Sequence, residues 1–158
     1  MSIEKVRPYL RQRGLEERIE EFDVSSATVE LAAAALGVEE ARIAKSMSFK
    51  QGDGAVIIVT AGDRKIDNSK YKAQFHTKAT MLSFQEACDM TGHAPGGVCP
   101  FALPENVPVY LDVSLQRFDT VWPAAGSSNS AVRLNCQELE EASSNFAGWV
   151  DVCKSREG

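Results

Sequence analysis

The stretch Ile43–Gly62, "IAKSMSFKQGDGAVIIVTAG", decides how the rest of the chain is read. Two strand-like runs meet around Gly52, Asp53 and Gly54, and turn residues between such runs predict a β-hairpin. Side chains alternate along a strand, so Ile43, Lys45, Met47 and Phe49 share one face, while Ala44, Ser46, Ser48 and Lys50 share the other. Lys45 therefore falls on the apolar side. A core-facing ammonium is costly unless it is paired or lines a cavity, which makes Lys45 a functional candidate. The alternative is a lysine near the strand end whose stem lies on apolar surface while its head reaches water. These residues do not form a nucleotide-binding loop. A P-loop requires GxxxxGK[ST], and "GVEEARIA" precedes Lys45, with its one glycine, Gly37, eight positions upstream.

Outward from the hairpin, helix and strand signals alternate. Upstream, Ser2–Arg13 predicts an amphipathic helix stopped by Gly14, and "IEEF" predicts a short strand. "TVELAAAAL" predicts a helix capped near Ser25 or Ser26 and ended by Gly37. Downstream, "NSKYKAQF" predicts a helix and "ATMLS" a short strand, followed by a helix opened by the capping box Ser83 and Glu86 and ended by Gly92. Strands follow in "VPVYLDV", "TVWPAA" and "AVRLN", then a helix with a second box (Asn135, Glu138) and a closing strand in "GWVDVC". Hairpin-joined and crossover strands among helices indicate a mixed α/β (α+β) fold. The expectation is one domain over residues 1–158, with a mixed, largely antiparallel sheet surrounded by helices.

Composition sets the outer bounds. A chain of 158 residues with 44% apolar content is sized for one compact core. It has no apolar window long enough to cross a bilayer, and its start, "MSIEKVRPYLRQRG", is charged where an export signal is apolar. A soluble cytoplasmic protein with no membrane partner is expected. Cys88, Cys99, Cys136 and Cys153 are widely spaced with only His76 and His93 to join them, so free thiols are expected and no metal or cofactor is called for. A net charge of −5 argues against a broad electrostatic grip on nucleic acid but leaves room for a local contact. Basic residues gather at Lys5–Arg13 and in "DRKIDNSKYKAQFHTK", acidic ones at Glu16–Asp23 and Glu138–Glu141; each run alone also suits a solvated face.

A second stretch, Gly92–Phe101 ("GHAPGGVCPF"), holds three glycines and two prolines in ten residues. Gly96 and Gly97 can bring backbone N–H groups close to a ligand, and Pro95 and Pro100 stiffen the loop so that those donors are preorganised for a carbonyl oxygen or an oxyanion. The same glycines also suit a tight connection that merely has to turn. Cys99 is a nucleophile without an evident base, or an inert thiol; His93 is an acid–base group, or a packing residue. "AAGSSNS", Ala124–Ser130, offers Gly126, Ser127 and further hydroxyls to a polar ligand, or is a surface turn. Asp112 and Asp119 follow strand-like runs, where they suit pairing with a lysine as well as catalysis.

Taken together and in order, "TVELAAAALGV", "IAKSMSFK", "VIIVTAGDRKID", "TGHAPGGVCPF", "VPVYLDVSL" and "FDTVWPAAGS" resemble the YbaK/EbsC family, free-standing relatives of the editing domain of bacterial prolyl-tRNA synthetases. The likeness runs from about Phe22 to Val152. It implies a single mixed α/β domain that hydrolyses wrongly charged aminoacyl-tRNA, typically tRNA for proline carrying cysteine or alanine. The family's characteristic lysine matches Lys45, and its GxxxP loop matches Gly96–Pro100. This chain has Ser46 where many members carry threonine after the lysine, and Cys99 where many carry serine before the last proline of the loop. On this reading the amides of Gly96, Gly97 and Val98 hold the ester carbonyl, and Lys45 places positive charge near the terminal adenosine or the oxyanion. Phe22, Ser46, Met47 and the loop bound a cavity for a small side chain. His93, Pro95, Cys99, Pro100, Gly126 and Ser127 complete the expected substrate-binding set. The implied partners are the tRNA acceptor end with its amino acid and a prolyl-tRNA synthetase that helps to present it, with no metal. A non-catalytic RNA- or synthetase-binding module, or a hydrolase of small esters or amides, is the alternative.

Overall fold

The hairpin expected at Ile43–Gly62 forms the centre of the molecule. The computed structural model describes residues 2–156. Its elements, in chain order, begin with α1 (Ile3–Arg11), β1 (Ile19–Glu21), α2 (Val29–Leu36), β2 (Ile43–Gln51), β3 (Gly54–Ala61), β4 (Arg64–Ile66) and α3 (Asn68–Phe75). They continue with α4 (Phe84–Thr91), β5 (Val109–Asp112), β6 (Trp122–Pro123), β7 (Ser130–Val132), α5 (Cys136–Ala142), β8 (Phe146–Val150) and β9 (Cys153–Ser155). β2 and β3 pair antiparallel from Ala44–Ala61 to Gln51–Gly54. At the tip Gly52 takes φ +59°, the left-handed value that the first central residue of a II′ hairpin turn requires.

The central sheet runs β6-β2-β3-β5-β8. The expected mixed sheet is present, but among the named strands antiparallel pairing occurs in the β2–β3 hairpin and in the ribbons β1–β7 and β4–β9, while the other three pairings of the central sheet are parallel. The cause lies in the connections. Long segments carrying α3 and α4 join β3 to β5, and the chain between β5 and β8 carries α5, so β5 and β8 re-enter the sheet in the direction of β3, while β6 runs with β2, opposite to them. β3 is buried along almost its whole length because both faces of the sheet are covered. On one side Ile57 and Val59 pack with Val6 and Leu10 of α1, Leu111, Leu134 and Leu139. On the other, Val56 and Ile58 pack with Phe49, Tyr71 of α3 and Val150.

The capping boxes at Ser83–Glu86 and Asn135–Glu138 form as the sequence indicates, as do the left-handed glycine ends at Gly37 and Gly92. Several boundaries differ. α2 is capped by Thr28, whose Oγ1 accepts from the Leu31 N–H at 3.2 Å, because Ser25 and Ser26 turn toward the Ser128 carbonyl instead. Ala79–Ser83 forms no strand: it touches β2 only through a bridge between Phe49 and Met81. "TVWPAA" contributes only two strand residues, and "GWVDVC" lies across β8 and β9 rather than in one closing strand. Among the described residues no helix is long and apolar enough to cross a membrane.

Candidate active site

The shortness of β6 makes room for a site. β6 pairs only with Ile43 and Ala44 of β2, and the chain at Thr80–Leu82 pairs again only from Ser48 onward, through Leu82 N–H to Ser48 O (3.1 Å) and Lys50 N–H to Thr80 O (2.8 Å). These bonds show that even-numbered residues of β2 turn their backbone polar groups to the outer edge, so the N–H and C=O of Ser46 face the gap between the two partners. A cavity of about 320 Å³ opens there. Its floor is Ile43–Ser48, and its walls are Ala27–Val29 and Ala32 at the start of α2, Pro95, Gly96 and Val98 of the glycine loop, Trp122, and Met81 with Leu82. The volume sits at the lower end for small-molecule sites, and its lining is small or apolar apart from a few polar groups. Lys45 is the one ionisable side chain among the described residues that line it.

Lys45 is half-buried, and its Nζ donates to the Arg64 carbonyl at 2.5 Å. Burial lowers its pKa from the ordinary lysine value, and the nearby Arg156 guanidinium pushes the same way. Arg156 is itself fixed, donating to the Gly62 carbonyl at 2.7 Å and pairing with Glu30 and Glu40 at 3.3 Å. That network ties the start of α2, one wall of the cavity, to the end of β3. Next to Lys45, the Ser46 hydroxyl is buried with no hydrogen-bond partner among the described residues. An unpaired buried hydroxyl is costly to leave unsatisfied, which makes it a polar group available to a ligand.

The glycine loop is a turn with a defined division of labour. Gly97 N–H donates to Ala94 O at 2.9 Å, with Pro95 and Gly96 at the centre and Gly96 at φ +94°, the arrangement of a type II turn. The Gly97 amide is therefore already used and is not an open donor, contrary to the sequence expectation. The amides of Gly96 and Val98 have no partner among the described residues. Nor does Gly97 line the cavity. A Cβ added to it would lie 2.8 Å from Gly126 O, 2.9 Å from Gly126 C and 3.0 Å from Ser127 N, so this glycine exists to let two loops pack back to back.

The residues expected to bind substrate divide accordingly. Lys45, Ser46, Met47, Pro95, Gly96 and Val98 come together at the cavity. His93, Gly97, Gly126 and Ser127 lie behind the loop in a second hollow of about 290 Å³, and Pro95 lines both. Ser127 Oγ donates to Asn129 Oδ1 at 2.9 Å and lies 2.7 Å from Ser130 Oγ, so its hydrogen bonds are internal. Phe22 is half-buried outside the cavity, exchanging backbone bonds with Asn129. Pro100 and Cys99 are buried beneath the loop. The wall formed by Ala27, Thr28, Val29, Ala32 and Trp122 was not anticipated, although the run of alanines in α2 carried a signal, since small side chains leave space beside a strand edge.

The base that the sequence could not assign to Cys99 is present but inverted in function. His93 Nε2 lies 3.5 Å from Cys99 Sγ and 2.8 Å from the Phe101 carbonyl, and a carbonyl only accepts, so Nε2 carries the proton. It cannot also take one from the thiol. Both residues are fully buried, burial lowers the His93 pKa, and it pushes the Cys99 thiol up to about 12. The pair is a packing contact rather than a catalytic dyad. Asp112 is likewise structural, accepting from the Ser114 and Val152 amides at 2.9 Å each, and Asp119 is exposed and paired with Arg42.

With this geometry in place, comparison with known proteins decides the family. The model of the aminoacyl-tRNA editing domain matches residues 23–142, the span that contains the cavity, Lys45 and the glycine loop. The chain belongs to the aminoacyl-tRNA editing domain family. Within it, the chain is 52% identical over 158 residues to the uncharacterized protein YwhH of Bacillus subtilis (strain 168), covering 99% of this chain and 100% of that one. It is 28% identical over 109 residues to EbsC of Enterococcus faecalis (strain ATCC 700802 / V583), named as a candidate Cys-tRNA(Pro)/Cys-tRNA(Cys) deacylase, covering 68% of this chain and 66% of EbsC. A crystal structure described as a candidate trans-editing enzyme for prolyl tRNA synthetase superposes with a TM-score of 0.86 and 28% identity, covering 98% of each chain. The resemblance to the YbaK/EbsC family therefore holds for this editing domain.

Proposed function

We propose that the protein is a cytoplasmic trans-editing deacylase that hydrolyses the ester of tRNA carrying a small, wrongly attached amino acid, with tRNA for proline charged with alanine or cysteine as its substrate. The observation that carries this reading is that one lysine, Lys45, lines a small apolar cavity together with Ser46, whose hydroxyl is unpaired, and with Gly96 and Val98, whose amides are free among the described residues. An aminoacyl ester is already activated, so positioning and charge suffice. Water attacks the carbonyl carbon, the tetrahedral oxyanion is held by the Gly96 and Val98 amides and the Lys45 ammonium, and the C–O bond to the ribose breaks as the leaving ribose oxygen takes the proton that the attacking water gives up. The Ser46 carbonyl accepts from the α-ammonium of the substrate, and its hydroxyl fills the remaining polar position. Selection is steric: Met47, Val29 and Trp122 close the cavity against larger side chains, and exclusion discriminates better than attraction, which gives only about 1–3 kcal/mol per methylene. The EbsC name and the trans-editing structure support the tRNA and synthetase assignment.

The test is a deacylation panel. tRNA for proline charged in turn with Ala, Cys, Ser, Thr and Pro is incubated with the protein, beside small amino-acid esters. Faster hydrolysis of the Ala or Cys ester than of the Pro ester supports the reading; hydrolysis of small esters alone, or binding without hydrolysis, overturns it.

A further inference from the structure

Five of the 17 Lys and Arg residues fall within Arg64–Lys78, against a single carboxylate, Asp67, in a chain of net charge −5. The fold gathers them with β9. α3 is tied to the β8–β9 connection by Asp67 N–H to Val152 O (2.8 Å) and by Lys70 Nζ to Cys153 O (2.9 Å). β4 pairs with β9 so that Lys65 and Lys154 stand directly opposite each other. Like charges directly opposite on an antiparallel ribbon destabilise it, and an anionic partner removes that cost. The carboxylates of these elements are engaged: Asp63 by Arg117, Asp67 as the cap of α3, and Asp151 by Lys70. Lys65, Lys72, Lys78 and Lys154 are exposed and form no ion pair among the described residues.

This basic face borders the cavity at two points. One is Arg64, whose carbonyl receives Lys45 Nζ; the other is the end of the loop after α3, where Met81 lines the mouth. Met81 is 58% exposed, and Phe84, one helical turn before the cavity residue Ala87, is 66% exposed, leaving apolar surface uncovered at the opening. The segment from β1 to α2, on the other side, carries Glu20 and Asp23 exposed with no ion pair among the described residues, while Glu21 and Glu30 are paired with Arg7 and Arg156. An anionic strand emerging from the cavity is thus repelled on one side and attracted on the other.

Resting on the deacylase reading, we propose that the acceptor strand of the tRNA leaves the cavity past Met81 and Phe84 and lays its phosphates on the lysine face of α3 and the β4–β9 ribbon. Lysines meet the backbone charge, and Phe84 offers a stacking surface to an unpaired base. Two double variants, Lys72→Glu with Lys78→Glu and Lys65→Glu with Lys154→Glu, are compared with Arg133→Glu, an exposed charge reversal away from this face, and with Phe84→Ala. Single-turnover deacylation is measured against enzyme concentration for aminoacyl-tRNA and for the matching aminoacyl-adenosine. The expected result is a half-saturating concentration at least tenfold higher for tRNA in each double variant and about tenfold higher for Phe84→Ala. The salt dependence should become shallower in the double variants, and their aminoacyl-adenosine rates should stay unchanged. Half-saturation equal to that of Arg133→Glu overturns the proposal. If the wild type hydrolyses neither substrate, the deacylase reading falls, and titration of labelled tRNA still decides the surface: the same ranking of affinities sustains it, and equal affinities refute it.

Discussion

Replacing Gly97 with alanine separates a structural glycine from a catalytic one. The added Cβ meets three backbone atoms of Gly126 and Ser127 at 2.8–3.0 Å, and none of them can swing aside as a side-chain end would. The two loops must separate by about half an ångström to restore ordinary contact, an overpacking that costs about 2–3 kcal/mol. Reduced entropy of the unfolded chain returns about 0.4–1 kcal/mol, leaving a net loss of about 1–2.5 kcal/mol. For a chain of this size that lowers Tm by about 2–10 °C. The single-turnover deacylation rate should stay within about threefold of wild type, because the Gly97 amide is spent on Ala94 and faces no substrate. Gly96→Ala is the contrast: its φ of +94° disfavours alanine, and its methyl group sits 3.2 Å from Ala27 Cβ in the cavity wall, so stability and rate should both fall. A Gly97→Ala protein with an unchanged Tm and a rate reduced tenfold or more would refute this division of the loop.

Cys99→Ser should deacylate within about threefold of wild type, and thiol-directed alkylation of native Cys99 should be negligible at pH 8, since burial holds its pKa up at about 12; rapid alkylation coupled to loss of activity would show otherwise. Ser46→Ala removes a buried hydroxyl that has no partner, so the melting temperature should hold or rise while the rate falls about 3–10-fold; an unchanged rate would take that hydroxyl out of substrate binding. The Lys45 pKa is lowered by burial and by Arg156, so its ammonium is lost at lower pH than that of an exposed lysine, and the deacylation rate should fall on that alkaline limb. Arg156→Gln removes the neighbouring like charge and should move the limb to higher pH; a limb that moves down or stays put contradicts the role given to that charge. The penalty on the charged lysine is present below its folded pKa and is relieved as pH rises through it, so Lys45→Met should gain stability over wild type most clearly at neutral pH, as measured by urea titration at two pH values.

The fold and half of the site were legible because their signals are local. Capping boxes, glycine helix ends and a turn between two apolar runs each act over a few residues, and all of these formed. The direction of the sheet's parallel pairings was not legible, since it depends on where long connections return, and neither was the failure of Ala79–Ser83 to form a strand. In the site, strand alternation put Lys45 on one face with Met47, and both residues line the cavity. The glycine pair misled because adjacent glycines look alike in sequence: only the packing shows that Gly97 meets the Gly126 backbone of a neighbouring loop while Gly96 meets Ala27 in the cavity wall. His93 and Cys99 lie six residues apart with no spacing rule to join them, and their contact arises from the loop closing over both. The basic face needed the register of β4 with β9 to bring Lys154 beside Lys65.

The central claim is that Lys45 supplies the charge for ester hydrolysis in this cavity. Single-turnover hydrolysis of alanyl-tRNA for proline by wild type and by Lys45→Met, with thermal melting of both proteins, tests it most directly. The claim predicts a fall of about a hundredfold or more in the variant with a native melting transition, in keeping with the loss of one stabilising partner of the oxyanion. A variant that folds and deacylates at the wild-type rate would contradict it.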